Sequence, residues 1–315
     1  MELKNIKEIA DQLRNNISKV IVGKDTVIDQ VLIALFASSH ILLEDMPGTG
    51  KTTLAKALAA SIDCTYTRVQ FTPDLLPSDL TGINYYNQKQ GEFVFRSGPI
   101  FTNVLLADEI NRATPRTQSS LLECMEERQI TVDGSTYRLD RPFFVIATQN
   151  PIETQGTYPL PEAQMDRFIM KLSVGYPEKE YETDMLGRFE RDNPLSRLEA
   201  VVTKETVAEA QSAVRNVKVS NDVRRYIVEL SEASRNHPGV RLGVSPRGSL
   251  ALMRASQVKA TFDGRDFVTP DDIKAIAPSV MKHRILPKGG LTLNHSGLAS
   301  EILEEILSSV PVPLE

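Results

Sequence analysis

The stretch from Ile41 to Ala55, ILLEDMPGTGKTTLA, constrains the fold more than any other part of the chain. An apolar run, HILLE, leads into two closely spaced glycines, Gly48 and Gly50, and then into TTLAKALAASI, which reads as a helix. Phosphate groups need several backbone N–H donors converging on one point, followed by a helix N-terminus that favours negative charge. Gly48 and Gly50 permit that turn, Lys51 offers a positive charge to the outer phosphates, and Thr52 offers a hydroxyl to Mg²⁺. One residue departs from the usual spacing: the position five residues before Gly50, normally glycine, holds Asp45. Asp45 stands at the strand exit, where a turn can be made without glycine. If the loop is genuine, the remaining parts of a phosphate-handling site should recur downstream.

They do. The run VLLADEINR is an apolar strand ending in Asp108 and Glu109, which puts two carboxylates at the carboxyl edge of a sheet. One can hold Mg²⁺ through its water, and the next can orient or polarise an attacking water. Taken alone, Asp108 serves equally well as a helix cap. A third apolar strand, in FFVIATQNP, ends in Thr148, Gln149 and Asn150, and Asn150 could donate to a terminal phosphate or to that water. Two arginines, Arg167 in PEAQMDRF and Arg247 in GVSPRG, complete the set. Arginine spreads positive charge over phosphate oxygens, although by local chemistry alone each reads more readily as a surface ion pair.

The chain's rhythm supplies a scaffold for these parts. Short apolar runs at Ile41–Leu43, Tyr66–Val69, Val104–Ala107, Phe143–Ala147 and Ile169–Val174 alternate with helical segments such as Lys51–Ile62 and Arg116–Arg128. That alternation predicts an α/β fold with a parallel sheet, whose ligands bind at the carboxyl ends of the strands. Upstream, Ile6, Ile9, Leu13 and Ile17 mark one amphipathic helix, and a second follows Asp25. Two hairpin-like insertions interrupt the pattern, Asn84–Phe95 turning at Gly91 and Gln129–Leu139 turning at Asp133-Gly134. From Thr203 onward helical periodicity dominates, with Thr269-Pro270-Asp271-Asp272 as a clear helix start. A boundary near residue 200 divides the chain into 1–200, an α/β core, and 201–315, a helical domain.

Composition narrows the function. A net charge of −5 gives no support to non-specific nucleic-acid binding. The N-terminal MELKNIKEIADQL is unlike a secretory signal, and the longest apolar run, Val31 to Leu43, is too short to span a bilayer. A soluble, cytoplasmic protein with no membrane insertion is expected. Cys64 and Cys124 read as buried thiols. The histidines His40, His237, His283 and His295 lack metal spacing, so no protein-bound zinc is expected. Tyr85, Tyr86, Phe93 and Phe95 read as hairpin packing rather than base-stacking platforms.

Together IVGKD, LLEDMPGTGKT, LLADEINRATPRTQSSLLECMEE, FFVIATQNPIETQGTYPLPEAQMDRF and GVSPRG, in that order, resemble the MoxR family of AAA+ ATPases, essentially over the whole chain. In that family the position of Asp45 is often not glycine. The resemblance implies an AAA+ P-loop core with a parallel five-stranded sheet of order 5-1-4-3-2, two β-hairpin insertions and a C-terminal all-α lid. It implies ATP and Mg²⁺ as cofactors, with Pro47, Gly48, Thr49, Gly50, Lys51, Thr52 and Thr53 forming Walker A, and Asp108 and Glu109 forming Walker B. Asn150 matches sensor 1, Arg167 the arginine finger and Arg247 sensor 2, while Val22 and Gly23 fall where the adenine pocket is expected. Thr52 and Asp108 would serve the metal. It also implies hexameric rings of identical subunits with ATP between them, and chaperone-like activation or maturation of a separate protein, often one with a von Willebrand factor A domain. A nucleic-acid translocase is the alternative from another class, and it requires basic hairpin tips; Lys89 beside Glu92, and Asp133, are poor ones. A nucleotide-gated scaffold with little turnover is a third reading, disfavoured by Glu109 and Arg167.

Overall fold

The computed structural model describes residues 2–151, 156–288 and 295–313. Residues 152–155 of the FFVIATQNPIETQGTYPLPEAQMDRF stretch, and the side chain of His295, lie outside the described parts. The strands are β1 (Ile41–Glu44), β2 (Tyr66–Gln70), β3 (Gly82–Asn87), β4 (Glu92–Ser97), β5 (Val104–Asp108), β6 (Gln129–Val132), β7 (Ser135–Arg138), β8 (Phe144–Gln149) and β9 (Met170–Leu172). The central sheet has the order β2-β5-β8-β1-β9, with every pairing parallel. Counting only these five from the N-terminus, this is the expected order 5-1-4-3-2. The helices of the first two hundred residues are α1 (Leu3–Ile17), α2 (Asp25–Phe36), α3 (Lys51–Ile62), α4 (Pro77–Thr81), α5 (Pro115–Glu127), α6 (Glu162–Met165) and α7 (Lys179–Phe189).

Period-two alternation along the strands builds two apolar layers. Ile41, Leu43, Val104, Leu106, Phe144 and Ile146 face α1–α3. Leu42, Leu105, Ala107, Val145 and Ala147 face the other way, toward α5 and the hairpins. A strand whose two faces are both buried reads as a continuous apolar run, which is why these segments were visible as strands. Two strand ends differ from the sequence reading. β8 runs on to Gln149 because its ladder with β1 continues through Leu43↔Thr148 and Glu44↔Gln149. β9 stops at Leu172 because the Val174 N–H turns to the Asp45 carboxylate instead of a neighbouring strand.

The hairpins β3–β4 and β6–β7 form as expected. Asp133 and Gly134 both take positive φ, 49° and 81°, the backbone that an Asp-Gly hairpin turn requires. The two hairpins are joined: Phe95 stacks on Tyr137 with ring centroids 4.0 Å apart, and the Asn84 amide donates to Asp133 at 2.8 Å. Phe95 therefore packs as expected, and Tyr86 and Phe93 pack edge to face across their hairpin with centroids 5.4 Å apart, although both, like Tyr85, are exposed.

Helices α8 (Lys204–Ala213), α9 (Asn221–Asn236), α10 (Pro246–Phe262), α11 (Pro270–Met281) and α12 (His295–Ser309) follow, with a short strand β10 (Val240–Leu242) between α9 and α10. Thr269 and Asp272 close a capping box at the start of α11. One apolar core runs from α1–α3 into α8–α11, so the C-terminal helices are seated on the core. Among the described residues no helix is long and apolar enough to cross a membrane.

Candidate active site

The loop between β1 and α3 has the backbone that its glycines foretold. Gly48 and Gly50 sit at φ +84° and +87°, and a Cβ built on either would meet nothing within 4 Å. The concave side of the loop is open space. Pro47, Gly48, Thr49, Gly50, Lys51, Thr52 and Thr53 line one cleft of about 340 Å³, and its far wall is Asp108, Glu109, Thr148, Gln149 and Asn150. The Lys51 ammonium donates to the carbonyls of Asp45 (2.9 Å) and Met46 (2.7 Å), which folds the side chain back over its own loop. Burial lowers the Lys51 pKa, against the opposing pull of Asp45, Asp108 and Glu109.

Asp45 explains its own departure from the motif. It is 6% exposed, and its carboxylate accepts from the Ser173 hydroxyl at 2.8 Å and from the N–H groups of Val174 and Gly175. The residue at the missing glycine thus ties the entrance of the loop to the end of β9. Its backbone is not among the positive-φ residues, so glycine has no conformational advantage there.

Asp108 and Glu109 project from the end of β5. The Thr148 hydroxyl joins them: it donates to Asp108 Oδ1 at 2.6 Å and accepts from the Glu109 N–H at 2.8 Å. Glu109 is in the left-handed region (φ 57°, ψ 50°), a conformation costing a non-glycine residue about 1–2 kcal/mol. That strain turns its side chain along the edge of the sheet. Arg68 and Gln70, on one face of β2, complete the set. Arg68 donates twice to Asp108 Oδ2, at 3.0 and 2.7 Å, and once to Gln70 Oε1 at 2.8 Å. Gln70 donates to Glu109 Oε2 at 2.7 Å, and Arg112 pairs with the same oxygen at 2.9 Å. Arg68 and Gln70 were not singled out from the sequence, and Thr148 was named there only as part of a polar strand end, without this role. The two-residue spacing of Arg68 and Gln70 on a strand paired to the one ending in Asp108 was the available signal.

The cleft suits a nucleotide and its metal. The loop offers backbone donors and an ammonium to phosphate, while the Thr52 hydroxyl and Asp108 carboxylate are the hard oxygens that Mg²⁺ takes alongside phosphates and water. Val22 and Gly23 do not line it. Gly23 lies beneath Tyr181 of α7, whose ring comes within 2.3 Å of a Cβ built on it. Gly23, at φ +67°, is required there for space as well as conformation.

Arg167 and Arg247 stand apart from the cleft and together with each other. Both pair with Glu126 at the end of α5, Arg167 at 3.4 Å and Arg247 in closer contact. They line a second cavity of about 290 Å³ with Arg128, Arg254 and Arg284. Arg167 precedes β9, so it sits at the amino edge of the sheet, whereas the loop follows β1 at the carboxyl edge. The two clefts share no residue.

Comparison with known proteins places this arrangement. The family described as ATPase family associated with various cellular activities (AAA) matches residues 40–170, and an AAA lid domain matches residues 232–306. Chaperone MoxR1 of Mycobacterium tuberculosis is 39% identical over 300 residues, covering 92% of this chain and 78% of its own. The chain belongs to the MoxR family of AAA ATPases. The uncharacterized protein YeaC of Bacillus subtilis is 51% identical across 95% of this chain and 93% of its own length. A crystal structure of a protein from Cytophaga hutchinsonii superimposes with a TM-score of 0.89 at 39% identity, covering 98% of this chain and 96% of that one. The α/β core, hairpins and helical lid are therefore those of a MoxR AAA ATPase.

Proposed function

We propose that this MoxR protein hydrolyses ATP with Mg²⁺ at interfaces between copies of itself, in a ring of six, and uses the cycle to remodel, activate or mature a separate protein. A partner carrying a von Willebrand factor A domain is the favoured class. The observation that carries the reading is the separation of the two arginines from the cleft. β1 and β9 are parallel neighbours. A strand of four residues spans about 13 Å, so Arg167 and the loop lie a full sheet-width apart in one chain. An arginine so placed reaches a terminal phosphate only from a neighbouring copy.

In this reading the loop N–H groups and Lys51 bind the phosphates, and Thr52 and Asp108 hold Mg²⁺. The metal, when bound, neutralises charge between the outer phosphates. Glu109 polarises the attacking water, Asn150 orients it, and the neighbour's Arg167 and Arg247 meet the charge that develops on the phosphoryl group. The name of the M. tuberculosis relative, a chaperone, supports protein remodelling. Exposed Tyr85, Tyr86 and Phe93 would suit a translocase as stacking platforms. The acidic Asp133 at the second tip, bonded to Asn84, argues against a phosphate track there.

Glu109→Gln tests the reading. Phosphate release should fall roughly 10²–10⁴-fold while ATP binding persists. With ATP, the variant should retain a specific protein and release it when nucleotide is removed. Normal turnover would remove Glu109 from its role, and retention of nucleic acid without protein would replace remodelling by translocation.

A further inference from the structure

We infer that Asp166 and Arg284 are positioning residues that hold Arg167 and Arg247 as one unit, so that the lid of each subunit sets how both arginines are presented to its neighbour. The inference rests on the reading that these arginines serve a neighbouring copy's nucleotide.

Arg284, in the short turn after α11, is a lid residue whose side chain is only 3% exposed. Its Nε donates to Asp166 Oδ1 at 2.6 Å. Its Nη2 donates to the carbonyls of Asp166 (3.0 Å) and Phe168 (2.7 Å), and its Nη1 donates to those of Ile169 (3.1 Å) and Val280. Three of these carbonyls belong to 166–169, the turn that presents Arg167. A guanidinium has five N–H donors in a fixed fork, and here the fork cradles one backbone turn. Burial lowers the Arg284 pKa, and the Asp166 carboxylate opposes that shift.

The other oxygen of Asp166 looks toward Arg247. Oδ2 accepts from the Ser245 hydroxyl at 2.7 Å. Ser245 is the N-cap of α10, and its oxygen accepts the Gly248 N–H at 3.1 Å. Arg247 lies between them in the first turn. One carboxylate thus fixes the turn carrying Arg167 and the helix start carrying Arg247. Gly248 completes the fit: a Cβ there would come within 2.8 Å of Arg284 Cδ and 2.6 Å of Val244 Cγ1. Glycine lets α10 close on the Arg284 shaft.

The tips of the two arginines are held differently. Both reach Glu126, whose side chain is 40% exposed, and exposed ion pairs hold weakly. Their roots are fixed through a buried clamp and their tips are lightly tethered, which is what a side chain needs if it is to leave one carboxylate for a phosphate across an interface.

The test is a subunit-mixing experiment on the full chain with Asp166→Ala and Arg284→Lys. Lysine keeps the charge but loses the fork. Each variant alone should bind a fluorescent ATP analogue with unchanged affinity and unchanged KM, because neither residue lines the loop cleft. Turnover at saturating ATP should fall about 10²-fold, the effect expected of an ångström-scale misplacement. Mixing either variant with Glu109→Gln chains should restore turnover, since the Glu109→Gln neighbour supplies intact arginines. Arg167→Ala mixed with Glu109→Gln is the parallel arm. If that mixture stays inactive, the shared-interface reading fails. If it recovers while Asp166→Ala turns over normally alone, or stays inactive when mixed, the positioning inference fails by itself. Should Asp166→Ala not fold, Ser245→Gly removes only the hydroxyl bridge and keeps a tolerated N-cap residue. It should lower turnover about tenfold without changing KM, and wild-type turnover in that variant would overturn the inference.

Discussion

The loop cleft and the arginine face occupy opposite edges of one sheet and are built on different principles. In the cleft the backbone does most of the work: two positive-φ glycines, a helix start, and a strained Glu109 whose N–H is held by Thr148. On the arginine face side chains from α5, the turn before β9, α10 and the turn after α11 make the geometry, although Ser38 and Arg128, which also line it, take positive φ. The cleft brings together, within one chain, what binding a nucleotide needs. The arginine face presents charges that have no reach to that cleft and whose tips rest on a half-exposed glutamate. On the proposed reading, binding is a property of the chain and turnover a property of the assembly.

The sharpest way to break that comparison is to remove one cation from each side. Arg167→Ala should lower turnover about 10³–10⁵-fold, the range for a transferred arginine, and leave nucleotide affinity unchanged. Lys51→Ala should weaken nucleotide binding itself roughly 10- to 100-fold, because hydrogen bonds to charged groups contribute about 1.5–3 kcal/mol. Equilibrium binding and steady-state phosphate release on the same preparations separate the two. Loss of affinity in Arg167→Ala would merge the regions into a single site within one chain.

The two regions were also unequally legible in the sequence. The cleft follows from local pattern: apolar strands ending in polar residues, glycines at the loop, and the Asp-Gly hairpin turn, each encoded within a few consecutive residues. The arginine face depends on contacts between Asp166, Ser245 and Arg284, which lie far apart in the chain and have no shared periodicity. Arg167 and Arg247 were singled out only through their resemblance to a family, and Arg284 was missed. A buried arginine in a helical tail looks like any surface cation until its carbonyl partners are known. Arg68 and Gln70 were missed for a milder reason: strand register is not written in either strand alone.

Asp45 gives a smaller, structural test of the cleft. Asp45→Gly restores the strict loop pattern yet strands the Ser173 hydroxyl and the Val174 and Gly175 N–H groups. A buried group left unsatisfied costs about 1–3 kcal/mol; that is the Val174 N–H, because exposed Ser173 and half-buried Gly175 regain water, so a loss of about 1–3 kcal/mol is expected. Glu126→Gln, on the arginine face, should cost no more than about 1 kcal/mol, as exposed pairs do. Chemical denaturation of both variants ranks them. An equal or more stable Asp45→Gly would show that the motif's glycine is interchangeable with the carboxylate here.

A final test concerns pH and falls on the arginine side. His40 lines the arginine cavity, where its Nδ1 accepts from the Val145 N–H and its Nε2 is 3.0 Å from the Met125 carbonyl. Because Nδ1 is the acceptor, Nε2 carries the proton, and the ring is neutral. Burial lowers its pKa to about 3. His283, beside Arg284, is likewise lowered, by burial first and then by the Arg284 charge. A folded pKa below the unfolded value, about 6.5, means that the neutral ring stabilises the fold fully above that value. The stabilisation is lost as pH falls toward the folded pKa. Between pH 7.5 and 5.5 the His40 ring should therefore account for about 1.4 kcal/mol of lost stability. His40→Gln can keep both hydrogen bonds without titrating, and should remove about that much of the pH dependence measured by denaturation at the two pH values. An unchanged pH dependence in His40→Gln would mean that the ring accepts a proton in the folded chain, and that acid acts on this face through other groups.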